Sequence, residues 1–143
     1  MMHDANLSIF STTTNALTSA TALPTGGLNL GKGTFRGKYA AFVEIKYSGA
    51  SVASGTGTLK LDLQYSNDGG TTWYLTTSGA DQAVALSTTA VKGIIRLPLV
   101  IDTAGLVDAS GNGISALVRI LPTLTGTTPV ANIDTAYVGL TKP

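Results

Sequence analysis

Thr58-Leu59-Lys60-Leu61-Asp62-Leu63-Gln64-Tyr65-Ser66 decides the fold class. Leu59, Leu61, Leu63 and Tyr65 alternate with Lys60, Asp62, Gln64 and Ser66. Side chains alternate across a strand with period two, so this order puts four apolar groups on one face and four polar groups on the other. A helix would scatter the same apolar residues around its cylinder. The stretch is therefore a half-buried strand.

The same period recurs on either side. Tyr39, Ala41, Val43, Ile45 and Tyr47 share a face between Lys38 and Tyr47, opposite Lys38, Glu44 and Lys46, with Phe42 breaking the polar row. Shorter candidates are Asn6–Phe10, Gly27–Leu30, Thr72–Thr77, Gln82–Leu86, Ser115–Leu121 and Ile133–Leu140. Val91–Ile101 is apolar on both sides apart from Arg96, and its Pro98 predicts an edge or a bulge, since proline donates nothing to a ladder. Turn formers fill 49–57, 67–70, 78–81, 103–113 and 123–129, which read as ordered surface loops. About eight short strands at this spacing predict an all-β antiparallel sandwich or barrel with minimal helix. No repeat or composition shift divides the chain. The expectation is one β-sandwich domain over 1–143 with an extended N-terminal segment of about 1–12.

Composition narrows the chemistry. The chain has 143 residues, a net charge of +1, 12% charged residues and no cysteine. Surface scaling allows about two-thirds of the unfolded surface to be buried, so a core needs no covalent staple. Without cysteine there is no disulfide, thiolate metal site or thiol nucleophile. Near-neutral charge offers no electrostatic footprint for nucleic acid. Mean hydropathy of +0.27 at such low charge suits a surface that partners cover. The N-terminus lacks a basic leader, and the apolar run Leu97–Ile101 is far too short to span a bilayer, so neither secretion nor a membrane is expected.

The sharpest local motif is Ser66-Asn67-Asp68-Gly69-Gly70-Thr71-Thr72-Trp73. Between two strands it reads as a structural hairpin turn, with glycine taking positive φ and the Asn and Asp side chains bonding nearby backbone. Ser66, Asp68, Gly70 and Trp73 also fit the S-x-D-x-G-x-T-W pattern, so the segment resembles the Asp-box turn of sialidase-like propeller blades. One copy cannot make a propeller. The only arginines, Arg36, Arg96 and Arg119, are too dispersed for a sialidase.

The remaining inventory is thin. His3 is the only imidazole and Glu44 the only glutamate, which a cross-strand ion pair explains. Asp102, Asp108 and Asn112 frame a glycine-rich loop but lack the dense ligand alternation of a Ca²⁺ loop. Gly26–Gly33 misses the phosphate-loop spacing because Gly33, not Ser or Thr, follows Lys32. A small hydrolase would need a nucleophile and base that are not found, and no cofactor or metal is expected. Phe35-Arg36-Gly37-Lys38-Tyr39 alone interleaves aromatic and basic residues, and core or interface packing explains the aromatics better than a nucleic-acid platform.

Several stretches together carry a family likeness. Leu7-Ser8-Ile9-Phe10-Ser11, Ala16-Leu17-Thr18-Ser19-Ala20-Thr21 and Leu28-Asn29-Leu30-Gly31 resemble the opening of capsid cement (decoration) proteins of tailed bacteriophages. Asn29 stands where that family more often has Asp. Leu61-Asp62-Leu63-Gln64-Tyr65-Ser66-Asn67-Asp68 is similar to the family's hairpin, and Ala116–Ile120 and Tyr137–Leu140 to its last two strands. The resemblance implies a jelly-roll-like sandwich on the exterior of an icosahedral virion, made in the host cytoplasm. It also implies bridging of major capsid protein subunits, as a homo-oligomer, with a dimer favoured and a trimer possible. On that basis Leu7, Ile9 and Phe10, with Phe35, Arg36 and Lys38, are expected at the capsid or self-interface, because extended apolar ends donate strands. The alternative is a carbohydrate-binding β-sandwich of a tail or cell surface, with Trp73 and Tyr74 as the sugar platform.

Overall fold

A computed structural model describes residues 2–10, 15–18, 23–32, 40–99 and 115–141. Its strands are β1 (Met2–Phe10), β2 (Asn15–Leu17), β3 (Leu23–Lys32), β4 (Ala40–Ser51), β5 (Ser54–Ser66), β6 (Tyr74–Thr77), β7 (Val84–Leu86), β8 (Val91–Leu99), β9 (Ser115–Thr127) and β10 (Val130–Thr141). Among the described residues the only helical piece is a 3-10 turn at Ala80–Gln82.

The strands form two five-stranded antiparallel sheets. One runs β1-β10-β4-β8, with β2 also on β10; the other runs β3-β9-β5-β6, with β7 also on β5. β1 and β2 lie in succession along one edge of β10, from Met2↔Leu140 to Ala131↔Leu17, and so act as one interrupted strand. β6 and β7 likewise share one edge of β5. Counted that way, eight strands wind back and forth between the sheets in the jelly-roll order, with β5 and β6–β7 the one consecutive pair within a sheet. Asp62 helps make the second interruption: its buried carboxylate accepts the Gly79 N–H at 2.8 Å and pairs with Lys60 Nζ at 2.9 Å.

One core lies between the sheets. Leu59, Leu61 and Leu63 of β5 and Val118 and Ile120 of β9 meet Val43 and Ile45 of β4, Ile95 and Leu97 of β8, and Ile133 and Val138 of β10. Pro98 lies on β8, which closes its sheet as an edge. Proline is tolerated there because its missing N–H takes nothing from an interior ladder.

Two expected loops turn out differently. The 49–57 and 123–129 stretches are mostly strand: β4 runs to Ser51 and β5 begins at Ser54, while β9 runs to Thr127 and β10 begins at Val130. Ser and Thr residues of these stretches take part in ladders there, at Ser54↔Thr127, Thr58↔Thr125 and Val130↔Ser51. Threonine suits a pleated strand, and ladder hydrogen bonds outweigh the turn signal. Both chain segments change sheets together, tied by Ala53 N–H donating to the Thr127 carbonyl at 2.9 Å. β2 was not anticipated. The expected 103–113 loop and Asp102, Asp108 and Asn112 lie outside the described residues.

Candidate functional site

The motif from Ser66 to Trp73 folds into a self-bonded turn at the end of β5. Ser66, fully buried, donates its hydroxyl to Asp68 Oδ1 at 2.7 Å and accepts the Gly70 N–H at 2.9 Å. Asp68 Oδ1 also accepts the N–H groups of Thr71 at 3.0 Å and Thr72 at 2.8 Å. Gly69 and Gly70 take φ of +75° and +91°, the left-handed region that glycine enters without steric penalty. The Trp73 indole N–H closes the turn on the Gly70 carbonyl at 2.9 Å.

Trp73 does not enter the core between the sheets. Its ring edge lies against Gly27 and Gly70, and the Arg119 guanidinium sits 4.0 Å from the ring centroid. Arg119 belongs to the outer row of β9, because Val118 and Ile120 on either side of it point inward. Its Nε donates to Gln64 Oε1 at 2.8 Å, and partial burial lowers its pKa from the ordinary arginine range. Indole, guanidinium and amide thus cover the outside of this sheet, a cation–π arrangement that holds the turn down. On the other face of this sheet Tyr65 and its cross-strand partner Tyr74 approach to 5.5 Å between centroids, and Tyr74 and Leu75 are exposed. The sugar platform expected of Trp73 and Tyr74 therefore has one indole face already taken by Arg119.

The turn carries its own pH sensor. Hydrogen bonds, first from the Thr72 backbone and then from the Thr72 and Ser66 hydroxyls, hold the Asp68 pKa at about 2, below its ordinary 3.8. A depressed carboxylate adds stability fully present above its unfolded pKa and lost as pH falls through the folded one. The turn should loosen between about pH 4 and pH 2. Trp73 is the only tryptophan, so its fluorescence reads this directly. Asp68→Asn is expected to remove that pH dependence; an unchanged fluorescence titration in the variant would show that another group controls the turn.

The outer face of the other sheet is organised around Glu44. It is buried although it points away from the core, and Arg96, directly opposite on β8, meets its Oε2 with Nε and Nη2, each at 2.8 Å. Arg96 also lies 5.8 Å from the centre of the Phe42 ring. The aromatic that breaks the polar row thus roofs an ion pair, and the pair is the cross-strand one expected for Glu44.

Leu7, Ile9 and Phe10 lie in β1, an edge strand antiparallel to β10. His3 is in the same strand, opposite Gly139. Phe35, Arg36 and Lys38 lie outside the described residues. Sequence reasoning missed Arg119 and Gln64, whose cross-strand meeting depends on the register of β5 against β9.

Among the described residues, no group of three or more His, Asp or Glu is placed to hold a metal ion. No described helix is long and apolar enough to cross a membrane. Compared with known proteins, the chain matches no family model, no curated protein and no solved structure. What fold and site define together is an all-β sandwich in which Glu44, Asp62, Asp68 and Asp134 are bonded within its own architecture.

Proposed function

We propose that this chain is a structural protein that binds the outer surface of an assembled icosahedral phage head and bridges major capsid subunits. The observation that carries this reading is the use made of the carboxylates. Glu44 is paired with Arg96, Asp62 with Lys60 and the Gly79 N–H, Asp68 with its own turn, and Asp134 with the Ser48 hydroxyl at 2.8 Å. Acid–base chemistry needs a carboxylate free to exchange protons with a substrate. These four instead hold strands and turns together, and the surface offers sheet faces and isolated apolar projections. The likeness of the sequence to cement proteins and the jelly-roll winding support the same function.

The work of such a protein is thermodynamic. A ligand that binds the expanded shell but not its loose subunits stabilises the shell by mass action at every site. Contacts to two subunits at once raise the effective concentration of the second, so rupture must break both.

Purified chain should be mixed with undecorated expanded phage heads and imaged. Saturable occupancy of the exterior and a higher rupture temperature are expected. Absence from the shell, with binding on a glycan array that Trp73→Ala abolishes, would replace this function with carbohydrate recognition.

A further inference from the structure

The open edge of β8 differs along its length. Arg96 turns its backbone N–H and C=O away from β4, where the Gln82 side chain meets both: Oε1 accepts the N–H at 3.3 Å and Nε2 donates to the carbonyl at 2.6 Å. Thr77 donates its hydroxyl to the Pro98 carbonyl, and Pro98 has no N–H. The chain thus blunts its own edge from Arg96 to Pro98. With period two, Ile94 presents the same outward-facing backbone groups, and no described residue caps them. An uncapped strand edge is a template for another strand.

The side chains there select the strand. Lys46 and Lys92 are exposed, and neither forms an ion pair among the described residues. They flank Ile94, 56% exposed, around a shallow depression of about 360 Å³ also lined by Tyr47, Gly93 and Asp134. Asp134 brings one negative charge against two lysines, so the depression keeps a net positive charge. A second copy fits badly, because antiparallel pairing about Ile94 sets Lys92 opposite the second copy's Arg96, whose outward backbone groups the Gln82 side chain already holds.

We propose that the β8 edge at Lys92–Ile94 takes an extended acidic segment of a partner protein as an added strand. Main-chain hydrogen bonds to Ile94 supply affinity, while Lys46 and Lys92 choose carboxylate-bearing partners. This does not rest on the shell-binding function.

Full-length chain is titrated with a short peptide alternating glutamate and valine, and separately with its lysine counterpart, while backbone amide shifts and exchange are followed by NMR. The acidic peptide should shift and protect the Ile94 amide, and the basic one should not. Ile94→Pro removes the outward N–H without touching the β4 ladder, as Pro98 already does two pairs along, and should abolish binding. Lys46→Glu with Lys92→Glu changes only exposed side chains. It should weaken the acidic peptide by about tenfold and admit the basic one. Equal binding of both peptides, or charge reversal without effect, overturns the proposal. So does self-association that Ile94→Pro dissolves, which would make the occupant a second copy.

Discussion

Leu63→Ala is expected to remove about 3–5 kcal/mol of folding stability. Leu63 has no exposed surface and sits in mid-β5, between Thr77 on β6 and Ile120 on β9. β5 therefore cannot shift to fill the space without breaking pairs on both edges. Rigid surroundings keep the cavity open, and the loss then exceeds the simple transfer free energy of the deleted carbons. Native domains hold only about 5–15 kcal/mol in total, so the variant approaches the folding threshold. Leu75→Ala on β6 is the matched control. Leu75 is 58% exposed, and its truncation should change stability by no more than about 0.5 kcal/mol. Urea melts of the three proteins decide it. Equal midpoints for Leu63→Ala and the wild type would mean that the inward row of β5 has been misassigned.

That inward row was legible because period two is a one-dimensional property of the chain. Leu59, Leu61, Leu63 and Tyr65 needed no partner to be recognised, and the strand they predict is β5. The outward row was only half legible. Lys60, Asp62, Gln64 and Ser66 read as solvated, yet Asp62 and Ser66 are buried. What covers them comes from elsewhere: Gly79 N–H meets Asp62, and the turn folds back over Ser66. Similarly, Asp68 and Trp73 announce a turn through local spacing, but Arg119 joins Trp73 only through β9. Local chemistry is written in adjacent residues. Register between distant strands is not, and both outer faces of this sandwich are made by register.

Gly57→Ala should destabilise the protein by about 3 kcal/mol, a fall in melting temperature of about 10 °C for a chain of this size. An ideal Cβ at Gly57 falls 2.1 Å from the Thr125 carbonyl oxygen and 2.8 Å from Val52 Cγ1. Neither neighbour yields easily. Thr125 is backbone in the β5–β9 ladder, where its side-chain oxygen also accepts the Thr58 N–H at 2.9 Å, and Val52 is buried at the corner between β4 and β5. Relief therefore requires β5 and β9 to separate where both chain segments change sheets. Gly55 provides the contrast: its Cβ would meet nothing within 4 Å, but its φ is +72°. Gly55→Ala meets backbone strain alone, about 1–2 kcal/mol. If close approach at the corner is the cause, Gly57→Ala must melt lower than Gly55→Ala, with faster amide exchange from Ser54 to Thr58 and from Thr125 to Thr127. The reverse order of melting would place the constraint in local φ rather than in the contact between strands, and the two sheet-crossing segments would then be independent of each other.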